Sequence, residues 1–201
     1  MPEKSEKINL KITQELLDKY PIQDDLTPSQ FIKTYWGYYT DDYPKNNSTN
    51  GTILENLVII ALAREGIKDI YYQTELSYVP SAKFDAFLFN EKTPVALSIK
   101  TSLRERWKQA DLEAMALKQV HKEAMCYLLT LSEKEVLARR KPGAIYSGLD
   151  GFILLDTSEF DDLVDKLKMM EFTIAGDVPI ITTADKKYND IILKNNFHFI
   201  S

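Results

Sequence analysis

Two charged side chains interrupt runs that otherwise read as apolar strands: Asp85 in KFDAFLFN and Lys100 at the end of PVALSIK. Strand alternation puts Lys83, Asp85, Phe87 and Phe89 on one face, with Phe84, Ala86 and Leu88 on the other, and groups Ala96, Ser98 and Lys100 in the next strand. Either charge alone at a strand end is ordinary surface. Together, on adjacent strands that run into a charged segment, they form a candidate cation site with a general base or charge stabiliser beside it.

Such a pair suits phosphodiester hydrolysis, which needs an activated water and stabilisation of the leaving oxygen. A divalent ion held by two or three carboxylates supplies both. Asp85 needs a second carboxylate, and Ser98 fills the place two residues before Lys100 where one could stand. The helix that follows offers Glu113. Leu103, Trp107, Ala110, Ala114 and Leu117 make its apolar stripe, and at about 100° per residue Glu113 falls on the edge of that stripe with Arg106 and Gln109. Glu113 has Gln109 and Leu117 four residues away, so no helical ion pair accounts for it.

These residues must be positioned by the elements around them. INLKITQELLDKY (8–20) reads as a short amphipathic helix, SQFIKTYWGYYTDDYP as an aromatic-rich segment, and KNNSTNG as a polar loop. TILENLVIIALARE (52–65) reads as a buried helix stopped by Gly66. The strands DIYYQTELSYV (69–79), KFDAFLFN (83–90) and PVALSIK (94–100) follow, with turns short enough for an antiparallel meander. After them come a helix from about 103 to 124, the strand AMCYLLTL, the helix EKEVLARRK, the strand GFILLD and an acidic helix over 158–171. Helices between later strands imply parallel crossovers, hence one α/β domain over 1–201 with a mixed sheet covered on both faces. Residues 1–50 form its N-terminal helical and aromatic arm.

At this point the chain resembles the PD-(D/E)XK nuclease superfamily: Asp85, then Lys100 in a strand, then a charged helix, within the order helix, three strands, helix, strand. Phe84 departs from the motif's proline and Ser98 from its second acid. The second departure is similar to the CCGG-recognising group of type II restriction endonucleases, relatives of EcoRII and NgoMIV, in which a glutamate on the following helix replaces the missing carboxylate. Glu113 matches that position. The same group carries an R-(E/D)-R-like triplet just after the lysine, matched here by Arg104, Glu105 and Arg106.

The resemblance implies a restriction-endonuclease-like core and Mg²⁺-dependent double-strand cleavage of DNA at a short palindrome containing CC and GG. Asp85 and Glu113 would hold the ion, Lys100 would act on the attacking water and the phosphate, and Arg104, Glu105 and Arg106 would read bases with Gln109 supporting them. Arginine can donate two hydrogen bonds to a guanine edge and glutamate can accept from cytosine. Two readings stay open for Glu55: a metal-site glutamate on the first helix, or the partner of Thr52 in a capping box. Trp36 is the candidate aromatic for stacking on an extruded base. A homodimer follows from a palindromic site, and the resemblance also implies a cognate DNA methyltransferase in the host. A structure-selective or repair nuclease of the same fold, and an inactive DNA-binding module, are the rival expectations.

The net charge of −5 is unhelpful to a DNA-binding protein, but its distribution is uneven. Asp156, Glu159, Asp161, Asp162, Asp165 and Glu171 concentrate the acid, while Lys100, Arg104, Arg106, Lys108, Lys118 and Lys122 concentrate base around the candidate site. Arg139, Arg140 and Lys141 read as solvated surface. The N-terminus has no secretory pattern, and the longest apolar run, LVIIALA, is too short to span a bilayer, so a cytoplasmic protein is expected. The single cysteine, Cys126, reads as a buried thiol, and with His121 and His198 it makes no zinc-type cluster.

Overall fold

In the computed structural model, residues 2–44, 46–79, 82–140, 145–173 and 181–197 are described. The elements run α1 (Pro2–Lys19), α2 (Pro28–Asp42), α3 (Asn47–Arg64), β1 (Ile70–Leu76), β2 (Lys83–Leu88), β3 (Val95–Lys100), α4 (Arg106–Val120), β4 (Met125–Thr130), α5 (Glu133–Arg139), β5 (Gly151–Leu154), α6 (Ser158–Lys168), β6 (Ile181–Tyr188) and α7 (Asp190–Phe197). They build one mixed sheet in the order β5-β4-β3-β2-β1-β6. The meander β1-β2-β3 is antiparallel, and β6 joins its outer edge antiparallel to β1. The β3-α4-β4 and β4-α5-β5 connections are parallel crossovers, as the interleaved helices and strands predict.

An apolar core lies on each face of the sheet. On one, Ile53, Leu54, Leu57, Val58, Ile60 and Ala61 of α3 meet Ile70, Tyr72, Ala86, Leu88, Leu97 and Ile99. On the other, Leu103, Ala110, Ala114 and Leu117 meet Tyr71, Phe84, Phe87, Ala96, Cys126 and Leu128. Leu54, Leu57 and Ile60 have no exposed surface, and each such side chain contributes roughly 1.5–3 kcal/mol by leaving water. Helix α3 is therefore a fixed post at the centre of the molecule. The aromatic segment also serves the core: Phe31, Tyr35 and Tyr39 are buried, and α1 and α2 both pack on α3.

Three local expectations change. KNNSTNG is not a loop throughout, because α3 already begins at Asn47, with Asn46 Oδ1 accepting the Thr49 N–H (3.4 Å). That start removes the capping-box reading of Thr52 and Glu55, since both lie inside the helix. Phe84 does not share a face with Ala86 and Leu88: it packs with Phe87 and Leu103. The alternation reverses across Asp85, in step with a reversal in β1, where Tyr72 and Leu76 fall in opposite cores. The cause in β1 is Gln73, whose φ of 50° is left-handed. Finally, Arg139 and Arg140 are committed internally. Arg140 forks onto Glu159 (2.6 and 2.8 Å) and donates to the Phe152 carbonyl, and the Arg139 guanidinium covers the Trp107 ring at 4.9 Å. Lys141 lies outside the described residues.

Candidate active site

The β2–β3 ladder ends at the Ala86–Leu97 pair, where β2 begins to turn from β3. Asp85 occupies the next position. Its Oδ2 accepts the Ile99 N–H at 2.6 Å, so a carboxylate replaces the missing strand partner, and it also meets Lys100 Nζ at 2.5 Å. Asp85 is buried and Lys100 partly buried, with side-chain exposures of 8% and 21%. A charge-assisted contact of this length in a partly dry site fixes both groups.

Two further carboxylates face this pair from opposite layers. Glu55 comes from α3, is 9% exposed, and accepts the Tyr72 O–H at 2.6 Å. Burial, reinforced by the Asp85 charge, pushes its carboxyl up to about 7, against opposing help from Tyr72, Lys100 and Gln73. Glu113 comes from α4, is also 9% exposed, and accepts from Gln109 Nε2 at 2.8 Å. Burial raises its carboxyl too, while Gln109, Lys100 and the Lys83 backbone favour its ionised form and Asp85 opposes it. The helix edge predicted for Glu113 thus points into the sheet layer. Glu55, Asp85, Lys100 and Glu113 form one electrostatic group drawn from α3, β2, β3 and α4.

Gln73 completes the group and had no signal in the sequence. The register sets it opposite Asp85, and its Nε2 lies 3.1 Å from Glu55 Oε2 and 3.1 Å from Asp85 Oδ1. Burial and the Glu55 carboxylate raise the Tyr72 phenol well above its ordinary range, so it remains a donor.

Arg104, Glu105 and Arg106 lie exposed between Lys100 and the body of α4. Arg104 adopts a left-handed φ of 35°, and Glu105 pairs with Lys108 at 2.5 Å. The turn is pinned from α5. Glu135 accepts the Leu103 N–H at 2.8 Å and the Arg104 N–H at 3.0 Å. Burial works against ionisation of Glu135, but Ser132 and these two amides outweigh it and hold its carboxyl low. Behind the turn, Trp107 stacks edge-on to Tyr146, whose hydroxyl donates to the Arg139 carbonyl. Trp36 stands apart from this assembly. It is half-buried, and its ring packs on Tyr39, which donates to Asn50 in the first turn of α3.

The donor set suits a hard cation. Among the described residues, no three His, Cys, Asp or Glu side chains form a metal-binding cluster by themselves. Mg²⁺ does not require one, because it keeps several waters and is held by one or two carboxylates together with substrate phosphate oxygens. Buried acids whose protons are held unusually tightly are what a cation would relieve. Among the described residues no helix is long and apolar enough to cross a membrane, and burial pushes the Cys126 thiol up to about 12, out of reactive range.

No protein-family model matches the chain, and no curated protein does. In structure it is similar to a solved complex of the restriction endonuclease PspGI with substrate DNA. The two share 17% identity, and the likeness has a TM-score of 0.51 over 83% of this chain and 82% of that one. The fold is therefore restriction-endonuclease-like, a central mixed sheet flanked by helices.

Proposed function

We propose that this chain is a type II restriction endonuclease that makes Mg²⁺-dependent double-strand cuts at a short palindrome containing CC and GG. The observation that carries the proposal is the Asp85–Lys100 contact on adjacent strands, faced by the buried carboxylates of Glu55 and Glu113. A structural pair on the surface would have no reason to draw two more acids out of water around it, since each costs desolvation.

Asp85 and Glu113 would hold the ion, with Glu55 joining them. When bound, Mg²⁺ supplies an activated water and charge stabilisation at the leaving oxygen. Lys100 offsets negative charge on the phosphate and orients the attacking water, and Asp85 keeps its ammonium aimed into the site. Ser98 occupies the vacated acid position, buried and opposite Asp85 in the continued register. Arg104, Glu105 and Arg106 are exposed, and among the described residues the ion pair made by their side chains is that of Glu105 with Lys108. Gln109 supports them while it holds Glu113. Trp36 and the N-terminal arm would contribute to DNA contact or dimerisation, and a palindromic site calls for a two-fold symmetric dimer. A methyltransferase of the same specificity would protect the host.

The test is incubation with Mg²⁺ and a plasmid of known sequence, with fragment ends mapped, beside Asp85→Ala, Lys100→Ala and Glu113→Ala. Discrete ends at a CC/GG palindrome from the parent alone are expected. A smear from the parent would move the assignment to a nonspecific nuclease, and tight binding without cutting to an inactive DNA-binding module.

A further inference from the structure

Gln73 is the odd residue of β1. It lies in the strand interior with a left-handed backbone, a conformation disfavoured for any residue carrying a Cβ, and it reverses the facing of the residues on either side. Strain of this kind persists where the surroundings over-determine it. Here the surroundings are two acids: one amide nitrogen donates to Glu55 on α3 and to Asp85 on β2, each at 3.1 Å. Both partner atoms are acceptors, and Glu55 Oε2 already takes the Tyr72 hydroxyl, so the amide must present its nitrogen.

We infer that Gln73 is a positioning residue that competes with the divalent cation for the gap between Glu55 and Asp85, and thereby sets the cation affinity of the site. The inference rests on the cation-dependent nuclease reading above. Its geometric ground is that Mg²⁺ lies about 2.0–2.1 Å from its ligand oxygens. On the amide's side of the gap, a cation that close to both Glu55 and Asp85 would fall within contact of a nitrogen only 3.1 Å from each carboxylate. The amide's hydrogens also present positive charge to that point. Amide and cation therefore exclude one another: without the ion Gln73 holds two repelling carboxylates together, and with it the side chain turns away. The partly exposed position of Gln73 gives its side chain a path for that movement.

Two variants test this. Gln73→Met keeps the length and removes the donor, and Gln73→Gly removes the side chain while suiting the left-handed backbone. Mg²⁺ is titrated calorimetrically into the full chain without DNA at pH 8.5, and the side-chain amide resonances of Gln73 are followed in the parent. The expected results are at least a five-fold lower Mg²⁺ dissociation constant in both variants, and movement of the parent's amide resonances on saturation. Unchanged or weaker binding in the glycine variant, or resonances that stay fixed at saturation, would overturn the inference while leaving the nuclease reading intact. A parent that binds no Mg²⁺ with or without DNA would overturn both.

Discussion

Asp85 Oδ2 stands where a strand carbonyl would otherwise stand, 2.6 Å from the backbone nitrogen of Ile99. One carboxylate thus closes the sheet and anchors Lys100. Structure and proposed chemistry are coupled in this atom, and they can be separated by substitution. Asp85→Asn retains a carbonyl oxygen for Ile99 and should lose most activity with little loss of fold. Asp85→Ala leaves a buried N–H unsatisfied and should cost about 1–3 kcal/mol more. Urea denaturation of the two variants, beside DNA cleavage, checks the split. Equal stability of the two would show that the Ile99 contact carries no weight.

Glu55 makes stability depend on pH. Its carboxyl has a folded value of about 7 against an ordinary 4.5, so the native state binds the proton more tightly than the unfolded chain. Between those values the native state holds more protons, and stability must fall as pH rises. Below about 4.5 the group contributes fully, and above about 7 the loss is complete, amounting to about 3 kcal/mol. Glu113 is raised in the same direction and adds to the trend. Glu55→Gln, neutral at every pH, should match the parent near pH 4.5 and exceed it in stability at pH 8. Paired urea titrations at the two pH values decide the matter, and a parent that is equally or more stable relative to the variant at pH 8 would contradict it.

Gly148 marks a packing constraint beside α4. An added Cβ would lie 2.1 Å from the Met115 backbone nitrogen and 2.5 Å from the Ala114 carbonyl carbon, both atoms of a helix that cannot yield easily. The loop is drawn into this contact by Asp111, whose carboxylate accepts the N–H groups of Ser147, Gly148 and Leu149 at 2.9–3.0 Å. Burial works against ionisation of Asp111, but the three amides outweigh it and hold its carboxyl low. Gly148→Ala should destabilise by about 3 kcal/mol or more and lower Tm by roughly 6 °C or more for a domain of this size. Scanning calorimetry reads it directly.

The fold and the convergence of Asp85, Lys100 and Glu113 were legible because they rest on period: alternation in strands, and a helix edge at 3.6 residues per turn. What stayed hidden has no period. Gln73 reads as an ordinary half-exposed strand residue, and nothing in its neighbours announces a positive φ. Alternation alone puts Phe84 on the wrong face because it cannot register the reversal at Asp85. Glu135 lies 32 residues from Leu103, and its contact depends on where the β4-α5 turn comes to rest. Asn46 had a signal, since Asn is a favoured helix start, but it was masked by the polar run that follows it. Arg140 reads as surface until Glu159, on a different helix, is placed beside it.

Glu135 supplies the last prediction, on sequence discrimination. Its carboxylate holds the Leu103 and Arg104 amides, and Arg104 sits in a left-handed conformation that costs a residue with a Cβ about 1–2 kcal/mol. Without the brace the turn should relax, and Arg104 and Arg106, the proposed base-reading pair, would lose the register that adjacent base edges require. Glu135→Ala should therefore lower the preference for the cognate site over one-base variants by about 10-fold or more, within the 1–3 kcal/mol that a good bidentate contact contributes to discrimination. Binding to nonspecific DNA should change little, because phosphate contacts carry no sequence information. The double variant with Arg104→Ala separates positioning from general damage. If Glu135 acts through Arg104, the double variant discriminates no worse than Arg104→Ala alone, whereas additive losses would place the effect of Glu135 elsewhere. Competition binding in Ca²⁺, with cognate and single-change duplexes, measures both quantities on the intact protein.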